Sequence, residues 1–435
     1  MPLSRHAIGR RAALALAAGS VVAAQSRHVQ AQQRSNAQIV IIGAGAAGIA
    51  MASRLSRRLD GARITILDRQ PRHVYQPGLT LVGAGVWAPS KVISANAQWM
   101  PSGVEWVREA AAEIDPVGNR VVTEGGRTIR YDFLVVAAGL ELNYGGIEGL
   151  SEDLIGREGI GNIYAGPEAA LATWREMARV AERGGVVVHG RPASEMKCAG
   201  APVKLAFLSH RRFADAGTRG RSEIIYNAHN QATFAVPEIH RRVVDLFAER
   251  NIRLNYSHVL RAVDPGRRIA TYRTPSGDVE QRYDFLHAVP PQRTPAAIRN
   301  SPLPWQAGPL AADGWVEADR GTLRHPRFPN VFTVGDATGV PRGKTAATVK
   351  KMVPIAGDNL MAVIAGRQPQ PLFNGYTSCP LITDIGRAML VEFDYDAKLV
   401  PSFPFVDPLR DTWFGWVVKD QIIQSIYEAM LTGRI

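Results

Sequence analysis

A strand, a glycine-rich turn and a helix in immediate succession constrain this chain more than anything else in it. The apolar run QIVIIGAG (38–45) leads into the helical AAGIAMASRLSRRL (46–59), and the strand ARITILD follows at 62–68. Gly43, Gly45 and Gly48 stand at G-x-G-x-x-G spacing, with Ala46 and Ala47 inside the turn. The first glycine permits the tight turn, the second lets the backbone approach a pyrophosphate, and the third lets helix and strand pack closely. Asp68 ends the second strand 20 residues after Gly48, where a carboxylate can accept hydrogen bonds from both hydroxyls of a ribose. The glycines alone are a weak signal, also met in a ligand-free helix start. Strand, helix and acid together specify a dinucleotide-binding unit.

The rest of the chain repeats the alternation. YDFLVVAAG (131–139) is an apolar strand ending in Gly139. A middle unit opens with GGVVVHG (184–190) and runs through the strand SEIIYNA and the helical EIHRRVVDLFAER to the strand RLNYSHVLRAVDP. NVFTVGD (330–336) is one more buried strand, followed by the helical TAATVKKMVPIAGDNLMAVIAG. Such alternation predicts an α/β fold with parallel sheets, in two Rossmann-like units. The middle unit lacks the glycine fingerprint in VVVHGRPASEMK and has no acidic residue after EIIYNAHN. Nicotinamide use is therefore not expected there.

The two ends differ from the middle. Residues 1–31 hold Arg5, Arg10, Arg11 and Arg27 and no acidic residue. Arg10-Arg11 precedes a weakly apolar stretch, Ala12 to Ala24, too short to span a bilayer. A small-residue cleavage site fits after Ala24 or Ala31, so a twin-arginine export signal and a periplasmic site are expected. An Arg-rich mitochondrial presequence is the competing reading. At the other end, WFGWVVKDQIIQSIYEAMLTGRI carries Trp413, Trp416, Val417, Ile423, Ile426, Tyr427 and Met430, much of it at helical spacing. This terminal helix either lies on a membrane surface or packs on the core. The net charge of +12 suits an anionic lipid surface or an anionic substrate as well as a merely solvated basic face. Basic residues do not interleave with aromatics in a nucleic-acid pattern, so no nucleic acid is expected. No metal site is assigned.

The chain has two cysteines, Cys198 in KCAGAP and Cys379 in GYTSCPLIT, 181 positions apart. Each stands in a Pro/Gly-rich segment read as a turn. In an oxidising compartment two such thiols are expected to pair.

YDFLVVAAG and NVFTVGDAT resemble the two further segments by which two-dinucleotide flavoproteins hold FAD. In that pattern Gly335 allows close approach and Asp336 binds the ribityl or pyrophosphate part. From about residue 38 to the C-terminal helix the chain resembles the sulfide:quinone oxidoreductases, especially their mitochondrial-like branch. The resemblance is carried by GAGAAG, HVYQPGLTLVGAGVW (73–87), KCAGAPVK (197–204), PNVFTVGDATGVPRGKTAATV (329–349) and GYTSCPLITDIGRAMLVEFDY (375–395).

With the export segment at 1–31, the expected organisation is an FAD-binding domain in two parts (38–150 and 291–372), a second Rossmann-like domain without an NAD site (151–290) and a C-terminal redox and membrane-association region (373–435). The resemblance implies that Cys198 and Cys379 form a disulfide beside the flavin. Hydrosulfide would attack one sulfur and leave a persulfide on it, and the released thiolate would reduce the flavin. In the mitochondrial-type enzymes the position matching Cys198 faces the flavin and that matching Cys379 carries the sulfide-derived sulfur. The electrons would pass to a ubiquinone-type quinone and the sulfur to a small acceptor.

Other roles follow residue by residue. Gln76 would contact FAD, Asp68 the adenosine ribose, and Lys344 the pyrimidine end of the flavin. Phe393 and Tyr395 are read as part of a quinone slot or as core. His189 and His210 are candidate proton carriers, though lone histidines are more often structural. Many relatives have a glutamine where this chain has Met352, which weakens a quinone contact there. No third cysteine is present to tether the flavin, so FAD is expected to be noncovalent. A homo-oligomer stays open. The competing readings are the flavin subunit of a flavocytochrome c, a flavin-bearing sulfur carrier without turnover, and a type II NADH dehydrogenase, against which the degraded middle site argues.

Overall fold

The structure is a computed structural model that describes residues 32–341 and 343–435. Along the chain run β1 (Gln38–Ile42), α1 (Ala46–Arg58), β2 (Arg63–Leu67), β3 (Val104–Val107) and β4 (Phe133–Val136). The middle portion holds β5 (Ile160–Gly161), α2 (Pro167–Arg183), β6 (Val186–Gly190), α3 (Ala201–Asp215), β7 (Glu223–Asn227), α4 (Pro237–Glu249), β8 (Ile252–Asn255) and β9 (Phe285–His287). Then come β10 (Val331–Thr333), α5 (Ala346–Ile364), β11 (Thr377–Asp384) and β12 (Arg387–Phe393). The last elements are α6 (Trp413–Val417), a π-turn (Val418–Ile422) and α7 (Ile423–Leu431).

Two five-stranded parallel sheets organise these elements, in the orders β10-β4-β1-β2-β3 and β5-β9-β6-β7-β8. Strand residues alternate between faces, and both faces of the first sheet are covered. Ile39 and Ile41 face the core beneath α1 and α5, while Val40 and Ile42 face a separate core with Ile114, Val121 and Val316. The second sheet divides in the same way, with Val187 and Ile224 on one side and Val188 and Ile225 on the other. Full burial of each such aliphatic side chain contributes about 1.5–3 kcal/mol. The doubly wound α/β architecture read from the sequence is therefore observed. The run RLNYSHVLRAVDP is the exception. It breaks after Asn255, and Val259–Asp264 joins an antiparallel three-stranded sheet.

The β11–β12 hairpin packs against α3. This contact joins the two cysteine segments, because Cys198 lies three residues before the start of α3 and Cys379 lies within β11. The reading of Cys379 as a turn residue is thus corrected. Pro380 sits in a two-stranded ribbon, where a missing backbone N–H is tolerated at an unpaired edge.

Candidate active site

One cavity of about 510 Å³ runs from the glycine turn, past both cysteines, to the C-terminal helix. Its size falls within the range of about 300–1,000 Å³ typical of small-molecule sites.

The glycine turn closes the first end. Gly43 has φ +103°, and a Cβ there would lie 2.5 Å from the Ala137 carbonyl oxygen. A Cβ on Gly48 would lie 1.8 Å from the Gly43 carbonyl oxygen, so only glycine lets α1 start this close to β1. Gly45 differs: a Cβ there would meet nothing within 4 Å. Its bareness faces open space, as a ligand-approach position requires. Gly45 also caps α1 without a side-chain hydrogen bond, which leaves first-turn N–H groups free for an anion. Asp68 holds the turn through Oδ2, which accepts from the Ala44 N–H at 2.6 Å, and lines the cavity with Ala46, Ala47 and Gln76. Gly139 (φ +69°) and Gly335 (φ +81°) form the opposite rim beside Asp336. Burial raises the Asp336 carboxyl above its ordinary range, against the opposing pull of Lys197 and Lys344. The Lys344 ammonium donates to the carbonyls of Asp336 (2.7 Å) and Thr338 (3.0 Å) and lies 3.7 Å from the Trp315 ring centroid. Burial brings its pKa down to about 8.

Both cysteines are free thiols on the cavity wall. Cys198 has φ +45°, a strained conformation for a non-glycine residue, held by its N–H donating to the Lys344 carbonyl at 2.9 Å. Its own carbonyl accepts from the Tyr164 hydroxyl at 3.0 Å. A Cβ on Gly200 would lie 2.8 Å from Cys379 Sγ, so this glycine lets the hairpin close on the start of α3. The thiols are hydrogen-bond partners. Donation from Cys379, assisted by Lys204 and Lys419, outweighs burial and brings the Cys198 pKa down to about 5. Cys379 is correspondingly pushed well up by that hydrogen bond and by burial. Lys204 Nζ lies 3.7 Å from Cys198 Sγ. Burial disfavours its charge, yet the two sulfurs hold its pKa above the ordinary range. Lys419 is buried too, donates to the Pro77 carbonyl at 2.9 Å, and is brought down to about 7 by burial and by Lys204.

The C-terminal helix forms the remaining wall through Ile423, Ile426, Tyr427 and Met430. Tyr427 OH meets His73 Nε2 at 2.7 Å, and Ser53 donates to the Leu431 carbonyl at 2.6 Å. Part of the apolar face read from helical spacing is therefore core packing. Trp413 stays 61% exposed.

Several expected site residues stand elsewhere. On β12, Leu390 and Glu392 line the cavity, so the next residue, Phe393, points to the opposite face and meets Phe234. Tyr395 packs edge-on against Phe373 and donates to the Arg320 carbonyl at 3.0 Å. Neither lines the cavity, and of the two readings, quinone slot or core, the buried positions of both rings match the core one. The strand period of two decides the point. His189 is fully buried against Ser209, and His210 lies outside the cavity, brought down to about 4 by burial and nearby arginines. Met352 sits behind Gly335, whose N–H points at its sulfur at 3.4 Å. Conversely, Lys204, Lys419, His73 and Tyr164 were not read as site residues. KCAGAPVK contains Lys204 six residues after Cys198, and that closeness in sequence was the available signal.

Comparison with known proteins agrees with this geometry. Residues 37–352 match the family model of the pyridine nucleotide-disulphide oxidoreductases. The chain is 33% identical to the mitochondrial sulfide:quinone oxidoreductase of Mus musculus, over 92% of this chain and 87% of that one. It is 33% identical to that of Dictyostelium discoideum, over 91% and 86%. The solved sulfide:quinone oxidoreductase of Aquifex aeolicus superposes with a TM-score of 0.77 at 23% identity, covering 91% of this chain and 92% of that one. The chain belongs to the pyridine nucleotide-disulphide oxidoreductases and, within them, to the sulfide:quinone oxidoreductase family.

FAD is the cofactor of this family, and the residues present fit it. Gly45 leaves open space at the helix start, and Asp68 and Gln76 line the cavity beside it.

Proposed function

We propose that this chain oxidises hydrosulfide at the Cys198–Cys379 pair and delivers the two electrons through FAD to a quinone. The observation that carries the reading is the convergence of two thiols, 181 positions apart, on the wall of the cavity that begins at the dinucleotide turn.

In the oxidised enzyme the cysteines form a disulfide. Hydrosulfide attacks Cys379, the new S–S bond forms as the Cys198–Cys379 bond breaks, and the electron pair leaves on Cys198. The better leaving thiol is the one of lower pKa, which supports this assignment of roles. Lys204, 3.7 Å from Cys198, stabilises the departing thiolate. Lys204 and Lys419 together make the approach attractive to an anion. Gly43, Gly45, Ala46, Ala47, Gly48, Asp68, Gln76, Gly139, Gly335, Asp336 and Lys344 would hold FAD. When bound, FAD supplies the two-electron chemistry between thiolate and quinone. Both cysteines are engaged in the pair, which favours noncovalent flavin.

We place the enzyme on a membrane surface. Phe405 is 78% and Trp413 61% exposed, and the Phe403, Phe405 and Phe414 rings form one cluster. Phe403 also lines the cavity, so apolar surface continues inward, as a lipid-soluble quinone requires. No helix among the described residues is long and apolar enough to cross a membrane. The export reading of 1–31 lies outside the described residues. We keep it as a twin-arginine signal, with a mitochondrial presequence as the alternative that the relatives' names favour.

The test is sulfide-dependent quinone reduction by Cys198→Ser and Cys379→Ser. Both variants retain FAD and lose turnover. Substantial residual turnover in both would sink the disulfide mechanism.

A further inference from the structure

The steps above deliver electrons to a quinone and leave its protons without a source. They also leave one buried acid on the cavity wall unused. Glu392 on β12 is 8% exposed and lines the cavity. It makes no salt bridge among the described residues. Neutral donors hold its carboxylate instead: the Tyr376 hydroxyl, the Ser402 backbone N–H, and the Ser402 hydroxyl at 2.8 Å. A buried carboxylate without a cation is costly, and hydrogen bonds of this kind are what make it tolerable.

The hairpin keeps this group apart from the sulfurs. Ser378 is registered against Glu392, and Pro380 against Leu390. With a strand period of two, these residues share one hairpin face, and all of them line the cavity. Tyr376, just before β11, lines it too. Cys379 is registered against Val391, and its sulfur lies against Gly200 ahead of α3. Phe403 follows Ser402, so the ring that joins the cavity to the exposed Phe405 is tied to the same carboxylate. A lipid-soluble molecule entering along Phe403 and Leu390 therefore reaches the Tyr376–Glu392 pair.

The charged groups facing the pair come from α5. Lys350 lines the cavity, and Lys351 lies 5.3 Å from the Tyr376 ring centroid. Burial and Lys351 lower the Lys350 pKa, against the pull of Glu392. Burial and the hydrogen bond to Glu392 push the Tyr376 hydroxyl above its ordinary range. Such a hydroxyl keeps its proton until an oxygen beside it gains charge.

We propose that Tyr376 and Glu392 form the proton relay of quinone reduction, with Tyr376 the catalytic residue and Glu392 the positioning residue that recharges it. The proposal deepens the quinone half of the proposed function and rests on that reading. Glu392 takes a proton from solvent and, as the neutral acid, donates to the Tyr376 oxygen. The Tyr376 hydroxyl is then free to donate to a quinone carbonyl. As two electrons reach the quinone through FAD, the Tyr376 O–H bond breaks and an O–H bond forms on the quinone oxygen. The Glu392 O–H bond breaks and that of Tyr376 forms again. Glu392 is left as the carboxylate held by Ser402 and Tyr376. The second proton of the quinol arrives with the electron pair, and no other reactant is consumed.

The test uses the full-length, FAD-loaded protein in unmodified, Glu392→Gln, Glu392→Asp and Tyr376→Phe forms. The flavin is reduced anaerobically with sulfide. It is then reoxidised by a short-chain ubiquinone or by ferricyanide, which accepts electrons without protons. Glu392→Gln keeps a hydrogen-bonding amide but has no proton to pass on. It should lower the limiting rate of reoxidation by ubiquinone ~10-fold or more, and so should Tyr376→Phe. Glu392→Asp should recover part of the rate. Bleaching by sulfide and reoxidation by ferricyanide should keep their unmodified rates. Calorimetry should show Glu392→Gln binding the ubiquinone with unmodified affinity. Full-rate reoxidation by ubiquinone in either variant, equal losses with ferricyanide, or a loss confined to ubiquinone affinity would overturn the relay. Should Glu392→Gln lose FAD or melt early, Tyr376→Phe carries the same rate expectation and the same refutation. Should sulfide fail to bleach the unmodified protein, the sulfide reading falls by itself. Reduction with dithionite then puts the relay to the same comparison of ubiquinone with ferricyanide.

Discussion

The ammonium of Lys204, in the first turn of α3, lies 3.7 Å from the sulfur of Cys198 in the segment before that helix, within a buried site. A cation so placed favours thiolate over thiol. With the hydrogen bond from Cys379 it brings Cys198 to about 5. In the reduced enzyme, alkylation by iodoacetamide should therefore titrate near pH 5 at Cys198, falling off below that pH as the thiolate takes its proton. Lys204→Met should move the midpoint upward by about one unit or more. An unmoved midpoint would remove Lys204 from the chemistry.

Gly200 controls how closely the hairpin approaches α3. Its absent Cβ would lie 2.8 Å from Cys379 Sγ. Gly200→Ala should push the sulfurs apart and lower sulfide turnover by ~10-fold or more, while the flavin stays bound. Retention of full activity would mean that the sulfurs move independently of this contact.

Gly45 is bare toward open space rather than toward protein. Gly45→Val should therefore leave the chain's own packing intact and lower its flavin content. The measurement is the flavin-to-protein absorbance ratio of the purified variant, with a melting temperature lowered to that of the flavin-free protein. A stoichiometric flavin complex would show that the turn is not a cofactor cradle.

The buried hydrogen bond between Tyr427 and His73 ties the C-terminal helix to the short strand Arg72–Val74 just before the YQPG segment. Tyr427→Phe leaves the imidazole with one partner fewer and should cost about 1–3 kcal/mol in chemical denaturation. Cys198 alkylation should not change, since the pair lies apart from the thiols' own hydrogen bonds.

The aromatic cluster predicts lipid binding. Phe405→Ser with Trp413→Ser removes the two most exposed aromatic rings among the described residues' large hydrophobics. Co-sedimentation with vesicles of phosphatidylcholine and phosphatidylglycerol should fall at least ~10-fold while flavin reduction by sulfide persists. Unchanged sedimentation would assign membrane contact to another surface.

Local pattern made the FAD half of the site legible. Gly43, Gly45, Gly48 and Asp68 lie within one βαβ unit, and their spacing carries their geometry. An oxidising compartment alone suggested that the cysteines pair, but their place beside the flavin was legible only through resemblance, because it depends on a hairpin packing against a helix nearly two hundred positions earlier. Lys419 was hidden for the same reason. It sits in an apolar terminal helix, and only the fold carries it to Cys198. Phe393 stayed open between quinone slot and core, since aromatic character does not say which face of a strand is occupied.

The most direct measurement is an anaerobic absorbance titration of the purified, FAD-loaded protein with sulfide, followed by a short-chain ubiquinone, in unmodified and Cys379→Ser forms. The predicted result is bleaching of the oxidised flavin bands by sulfide, their return on quinone addition, and neither change in the variant. Bleaching without return would point to a haem-type acceptor. Bands unmoved by sulfide, or a variant that bleaches as readily as the unmodified protein, would contradict the claim that the two cysteines couple sulfide to the flavin.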